Sequence, residues 1–402
     1  MSESRELLLV RYGEIGLKGK NRSHFVSALV KNLQKALERV DCDAEVSHRF
    51  GRVYVEWTRG DREAIYGVVA STFGVVSFSP AVRVPLDQEA MCRAAEEAFR
   101  SAREGRTVKT FKVEARRSEK AFPLTSMEIN RAVGGYVLRR HRDISVDVHD
   151  PDVTLNIEVR SEGILIYSRV IPGPGGLPVG TSSKAMLLLS GGIDSPVAGW
   201  YALKRGIALE AVHFHSFPFT SERSLQKVRD LCQVLAGYAG PIPLHVVHFT
   251  EVQRAIQQQV PSSFRITVMR RFMFRIATAL AEARGALALV TGESVGQVAS
   301  QTLESMRAIG EVTSLPVLRP LVGFDKHEIV TDARRIGSYE LSILPYEDCC
   351  TIFVPENPQT RPKLERVRKV EEPLDVDALV EEAVGRTELE IIEPPRTFAS
   401  VL

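Results

Sequence analysis

Between residues 21 and 39 apolar side chains recur every four positions, at Phe25, Leu29, Leu33 and Leu37, and this spacing predicts a helix. Short apolar runs on either side, residues 7–11 and 52–57, read as strands, the second alternating tightly as VYVEW. After a break at residues 58–61 a second mixed unit begins. Its pattern predicts helices over 89–103 and 126–140, a strand over 107–115, and a hairpin made by 153–159 and 163–170. The stretch IPGPGGLPVG at 171–180 has three Pro and four Gly in ten residues, so neither a helix nor a central strand can run through it, and it reads as a linker.

Beyond the linker the pattern changes. An uninterrupted apolar strand is expected at 185–190, and further strands at 208–215, 244–250 and 287–292. Between them lie amphipathic helices at 195–205, 221–238 and 267–284, and a further helix is expected at 326–336. Apolar strands alternating with helices imply a parallel sheet covered on both faces and joined by right-handed crossovers. The expected fold is therefore α/β: two small α+β domains over residues 1–60 and 61–172, then a parallel-sheet domain over 173–402 ending in an acidic tail. In such a sheet a ligand lies beyond the carboxyl ends of the strands, so the residues just past each strand carry the functional question.

Composition adds limits. The 402 residues are 44% apolar and 25% charged, as in folded chains, and the length suits two or three domains. No apolar run approaches the roughly 18 residues of a membrane span, and the amino terminus carries Glu3, Arg5 and Glu6 rather than a secretory signal. Five Cys are too few and odd in number for a disulfide framework, which points to a cytoplasmic chain. Net charge is only +2, yet it is unevenly spread. Residues 1–172 hold 28 Lys+Arg and 24 Asp+Glu, whereas 173–402 hold 24 and 26. Basic side chains cluster at Arg116 and Arg117 and again at Arg139, Arg140 and Arg142. Each cluster reads equally as a solvated face or as a phosphate-binding patch. No internal repeat is visible.

The sharpest chemical signal is LLSGGIDS at 188–195. Paired glycines after a strand let the backbone approach an anion, and a helix starting at Ser195 adds its dipole and amino-terminal donors. Neither Gly-Lys-Ser/Thr nor GxGxxG is present, so this is neither a Walker A loop nor a dinucleotide fingerprint. SGGIDS resembles the PP-loop of ATP pyrophosphatases, which cleave ATP between the α and β phosphates to adenylate a substrate. On that reading Leu188, Leu189, Ser190, Gly191, Gly192, Asp194 and Ser195 bind ATP. At other strand ends His213 and Phe214 are candidates to flank the adenine, Gly292 and Gln301 to read base or ribose, and Arg270 to reach the phosphates. A second signal is YEDCC at 346–350, a cysteine pair in a Pro-bounded loop, suited to a nucleophilic or sulfur-carrying role beside an adenylating site. Cys42, Cys92 and Cys232 default to filler, and no CxxC pair offers a zinc or iron–sulfur ligand set.

RYGEIGLKGKNR at 11–22, SGGIDS, TGESVGQVASQT at 291–302 and YEDCC together resemble the ThiI family, the tRNA 4-thiouridine synthases, over essentially the whole chain. The resemblance implies a ferredoxin-like domain over 1–60, a THUMP RNA-binding domain over 61–172 and a PP-loop adenylation domain over the remainder, without the rhodanese domain of some members. It implies ATP with Mg2+, Asp194 being the local carboxylate to hold the ion or position the reacting groups, and Cys349 as the persulfide-carrying catalytic cysteine. Cys350 and Cys232 are then the candidate resolving thiols. Expected partners are tRNA, modified at uridine 8 and bound by the amino-terminal domains, and a cysteine desulfurase. The thiamine-pathway sulfur carrier protein is a further acceptor, and a homodimer is the implied assembly. Two rivals stand beside this reading: another PP-loop thiolase or ligase, for which CxxC cysteines or an amidotransferase partner would be expected, and a non-catalytic tRNA-binding scaffold, which needs neither the intact loop nor Cys349.

Overall fold

The computed structural model describes residues 5–346 and 359–395. The chain forms two compact units that divide between Gly175 and Gly176, inside the Pro/Gly-rich stretch.

The first unit opens with β1 (Glu6–Tyr12), α1 (Arg22–Leu37), β2 (Glu45–Arg49), β3 (Arg52–Trp57), α2 (Arg62–Ser71) and β4 (Val75–Pro80). It continues with β5 (Val82–Val84), α3 (Gln88–Arg103), β6 (Thr110–Arg117), α4 (Ser126–Arg140), β7 (Ser145–Val146), β8 (Val153–Arg160), β9 (Gly163–Tyr167) and β10 (Ile171–Pro172). Two five-stranded sheets result, ordered β10-β4-β1-β3-β2 and β5-β9-β8-β6-β7. The boundary expected at residue 60 therefore moves. α2 and β4 complete the first sheet, with β4 antiparallel to β1, and the second sheet starts only at Val82. The expected linker also begins later than residue 171. Ile171–Pro172 pairs with β4 as an edge strand, a position that tolerates proline's missing N–H.

Local chemistry explains the helices. Thr125 and Glu128 form a reciprocal capping box that starts α4, and the Asp87 side chain accepts from the Ala90 amide at the start of α3. The inner faces of α3 and α4 bury Met91, Phe99, Ile129, Val133 and Val137 against Phe111, Leu155 and Ile157 of the second sheet. Each such large side chain, fully removed from water, contributes about 1.5–3 kcal/mol before entropy is counted. Leu7, Leu9 and Tyr54 of the first sheet pack with Leu165 and Tyr167 of the second. Above them the buried Glu158 carboxylate accepts from Tyr167 Oη and Arg160 and pairs with Arg52.

The second unit runs β11 (Lys184–Leu188), α5 (Asp194–Lys204), β12 (Ala208–His215), α6 (Glu222–Ala239), β13 (Ile242–His248), α7 (Thr250–Gln259), α8 (Arg265–Ala283), β14 (Leu289–Val290), α9 (Leu303–Gly310), β15 (Val317–Leu318), α10 (Lys326–Ile336), α11 (Tyr339–Ser342), α12 (Leu364–Glu371), α13 (Val376–Gly385) and β16 (Glu388–Ile392). The sheet order is β15-β14-β11-β12-β13-β16, parallel throughout except for β16, which lies antiparallel to β13 at the edge. The chain leaves β11 toward β12 and β13, then returns to β14 on its other side. The order therefore reverses beside β11, where the Gly-rich turn sits. The acidic carboxyl-terminal segment, expected as a tail, is folded where it is described: α13 packs on α8, and Arg229 of α6 grips Glu390 of β16 with two 2.8 Å hydrogen bonds.

Candidate nucleotide-binding active site

The turn after β11 is tied by its own serines. Ser195 Oγ accepts from the Ser190 amide at 2.9 Å and lies 3.1 Å from Ser190 Oγ, which in turn accepts from the Gly192 amide at 3.2 Å. These bonds fold residues 190–195 into a compact ring at the start of α5, whose first residue is Asp194 and which has no side-chain cap. Such a turn at a helix amino terminus favours an anion.

Gly292 closes on this turn from β14. A Cβ there would stand 2.7 Å from the Ser195 amide nitrogen and 2.8 Å from the Asp194 carbonyl carbon. Its lack of a side chain serves close packing of this strand end against the start of α5. Asp194 is held from two sides: Lys326 Nζ, at the start of α10, donates to Oδ1 at 2.6 Å, and Gln297 Nε2 donates to Oδ2 at 2.9 Å. With both oxygens engaged by protein donors, the expected Mg2+ ligand role of Asp194 does not fit its surroundings. Among the described residues no group of three His, Cys, Asp or Glu is placed to hold a metal ion.

The strand ends divide by side-chain alternation. On β12, His213 turns its Nδ1 to the Leu189 carbonyl at 3.0 Å and stays beside the loop. Phe214 points the other way, into the core against Phe249 with ring centroids 5.1 Å apart, so its ring does not stand beside His213 as the aromatic flank expected for an adenine. His215 is buried against Thr220 Oγ1, and burial pushes its pKa below the usual imidazole value.

On the β14 side, Arg270 is held by two partners: Nη2 is 2.9 Å from Glu293 Oε1, and Nη1 donates to Ser300 Oγ at 3.0 Å. Glu293, 1% exposed, also accepts from Arg319 Nε at 2.7 Å and Thr291 Oγ1 at 3.0 Å. Burial raises its pKa, but Arg270 and Arg319 outweigh that and keep it below the ordinary glutamate value. Gln301 is buried and accepts from the Ser294 amide at 3.4 Å, which organises the 294–301 loop.

Four residues of this constellation escaped the sequence reading: Gln297, Glu293, Arg319 and Lys326. Gln297 and Glu293 lie within TGESVGQVASQT, and Lys326 begins a helix that periodicity finds, so proximity of motif to loop was the available signal.

Cys349 and Cys350 lie outside the described residues. Cys232 does not fit a resolving thiol. It faces the core of α6 with no exposed surface, and burial pushes its thiol up to about 12. In the first unit the basic candidates separate. Arg139, Arg140 and Arg142 are exposed, Arg140 lying 3.6 Å over the Tyr136 ring, and Arg116 is exposed but paired with Glu114 at 2.9 Å. Arg117 spends Nη1 on the Phe122 and Leu124 carbonyls, so it braces a loop.

Comparison with known proteins agrees with this architecture. The family described as thiamine biosynthesis protein (ThiI) matches residues 180–376, the ThiI ferredoxin-like domain 7–79 and the THUMP domain 87–169. The last two ranges bracket the observed change of sheet between Pro80 and Val82. A "probable tRNA sulfurtransferase" of Brevibacillus brevis is 54% identical over 387 residues, 96% of each chain. Its counterpart from Moorella thermoacetica is 53% identical over 96% of this chain and 98% of its own. A crystal structure of a 4-thiouridine synthetase–RNA complex with bound ATP superposes with a TM-score of 0.90 at 44% identity, covering 96% of this chain and all of that one. A Pyrococcus horikoshii protein follows at 0.65 and 29%, covering 83% and 99%. Sharing more than half its residues with such relatives over nearly its full length, and carrying all three of their domains, the chain belongs to the ThiI family of tRNA sulfurtransferases.

Proposed function

We propose that this chain uses ATP to replace the C4 oxygen of uridine 8 in tRNA by sulfur, giving 4-thiouridine. The observation that carries the reading is the compact Ser190–Ser195 ring on the amino terminus of α5, closed by Gly292 and flanked by the Lys326–Asp194 pair. It is an anion-binding turn with a positioned carboxylate and ammonium beside it. The structural relative with ATP and RNA bound supports the same choice of ligands.

The C4 oxygen of uracil is a poor leaving group. Its attack on the α phosphorus of ATP releases pyrophosphate and leaves AMP attached through that oxygen. The serine ring and the α5 amino terminus orient the phosphates, and Lys326 offsets charge that builds on them. The terminal sulfur of a persulfide on Cys349 then bonds to C4, and AMP departs with the oxygen. A thiol must finally cleave the remaining sulfur–sulfur bond; Cys350 is the intramolecular candidate, since Cys232 is sealed in the core. A cysteine desulfurase supplies the persulfide, and the thiamine-pathway sulfur carrier protein is a second acceptor of the same sulfur. Mg2+ is expected to arrive on the ATP phosphates, where it would offset their charge. The first unit, with Arg139, Arg140 and Arg142 on its surface, binds the tRNA through phosphate and shape.

Nucleoside mass analysis of tRNA treated with the protein, ATP, cysteine and a desulfurase tests this. The wild type yields 4-thiouridine only when ATP is present, whereas a non-catalytic scaffold yields none and a different thiolase yields another thionucleoside. Asp194→Ala loses about a hundredfold or more in rate, the order expected for removing a positioned charged group, with tRNA affinity unchanged. Wild-type rates in that variant would overturn the assignment of the loop.

A further inference from the structure

The β14 side of the site holds a charge arrangement that loop chemistry alone does not require. Glu293 follows Gly292, the residue packed against the Ser195 amide. Its buried carboxylate has one guanidinium beside each oxygen: Arg319, just past β15, donates to Oε2 at 2.7 Å, and Arg270 from α8 stands 2.9 Å from Oε1 as an ion pair without hydrogen-bond geometry. Thr291 Oγ1 adds a third contact at 3.0 Å, and the Thr291 amide donates to the Leu318 carbonyl, fixing the two strand ends together. Two cations on one anion leave the cluster at +1. Both arginine side chains are largely shielded, 18% and 20% exposed, so this charge is poorly screened by water.

The amino-terminal end of the same sheet's strands provides a contrast. Glu210 there takes Lys184 at 2.7 Å and Arg284 at 2.9 Å, with the buried His245 at 2.8 Å, but the Lys184 and Arg284 side chains are 35% and 42% exposed and sit at the amino ends of the strands, away from the Gly-rich turn. That cluster has a fold-stabilising role and its charge is shared with solvent. The Glu293 cluster, one carboxylate between two arginines, lies instead where a parallel sheet receives its ligand.

We propose that Arg319 and Arg270 form a preset cationic clamp for the phosphates of ATP, with Glu293 as the positioning residue that holds both guanidinium groups before the nucleotide arrives. The clamp rests on the adenylating function argued above and adds to it a second arginine and the carboxylate that aims the pair. Guanidinium groups fixed in advance lose little freedom on meeting a phosphate, which is why a buried carboxylate beneath them favours binding even though its charge opposes the ligand's.

That opposition gives a test by sign. Glu293→Gln makes the site more positive by one charge. Were Glu293 only a neutralising charge, ATP would bind more tightly to this variant. As a positioning residue its loss weakens ATP binding, by about tenfold on the scale of a lost charge-assisted contact. Arg319→Gln is expected to weaken ATP by a similar factor while adenosine, measured by competition, stays within about twofold, and Arg319→Lys recovers part of the loss. Equilibrium binding on the full-length protein, with thermal melting of each variant without nucleotide, reads all of this. Tighter ATP binding in Glu293→Gln, equal losses of ATP and adenosine in Arg319→Gln, or no loss in either would overturn the clamp. Failure of the wild type to bind ATP would instead overturn the adenylating function itself.

Discussion

Whether a thiol does chemistry depends first on whether it can ionise and be reached. Cys232 can do neither: no part of it is exposed and burial holds its thiol at about 12. At pH 8 it should resist alkylation in the native protein and react fully in denaturant, and Cys232→Ala should keep wild-type thiolation under reductant. Mass mapping of alkylated peptides checks the first expectation; rapid native labelling of Cys232 would restore it as a sulfur-handling residue. Other single residues show how far a sequence can be read at this scale. SGGIDS names its own serines and glycines because close backbone approach to an anion needs those residue types. Phe214 was misplaced because the strand's two-residue period, applied from His213 beside the loop, sends its ring to the opposite face. Arg116 and Arg117 look alike in sequence, yet one is at the surface and the other bonds two carbonyls, a difference set by contacts five and seven residues away. Lys326 meets Asp194 across 132 positions, and nothing local to either residue announces the other.

Elements with a strong period are where pattern and structure coincide. β3, α4, β12 and α10 occupy the ranges their apolar spacing predicts, each being either long or tightly alternating. Among the strands that were missed, β15 has two residues and β16 is largely exposed, so neither has enough buried side chains to show a period, while β14, expected over 287–292, is only Leu289–Val290. β16 forms because β13 offers an unpaired edge and Glu388 and Glu390 find His248 and Arg229, which is tertiary information. Between elements, Glu210 ties three strands and a helix end together, accepting from Lys184 of β11, His245 of β13 and Arg284 after α8. Burial alone would raise its pKa, but these three donors bring it from 4.5 to about 2. A carboxylate with a depressed pKa stabilises the fold above its unfolded value and loses that contribution as pH falls from about 4.5 toward 2. Glu210→Gln should therefore cost about 2–3 kcal/mol at pH 7, and the gap to wild type should shrink progressively below pH 5. Urea unfolding of both proteins between pH 4 and 8 measures it, and a gap independent of pH would place the loss in packing.

Over the whole molecule the charge follows the division of labour. The segment through Pro172 carries an excess of four basic residues and the remainder an excess of two acidic ones, so the near-neutral chain has its basic excess in the part expected to bind RNA. That asymmetry was legible without a structure; which arginines are available was not. Arg139, Arg140 and Arg142 emerge together at the carboxyl end of α4, where the helix dipole favours cations. Arg140 over Tyr136 presents a flat guanidinium that suits a phosphate or an unstacked base. Arg116 shares its charge with Glu114 and Arg117 is committed to its loop, so neither should matter much for binding. Replacing Arg139, Arg140 and Arg142 by Ala should thus weaken tRNA binding at low salt. It should also flatten the log–log salt dependence by up to about 2–3 units, since each lost phosphate contact releases about 0.7–0.9 fewer counterions. Replacing Arg116 and Arg117 should leave the slope within about one unit of wild type, and ATP affinity should be the same in every variant because the nucleotide site belongs to the other unit. Filter binding from 50 to 300 mM salt separates the outcomes (about the range in which counterion release dominates). An unchanged slope in the triple variant would return this cluster to a solvated face. The phosphate contacts would then be sought along α1, where Lys20, Arg22, Lys31 and Lys35 line a groove with His48 of β2.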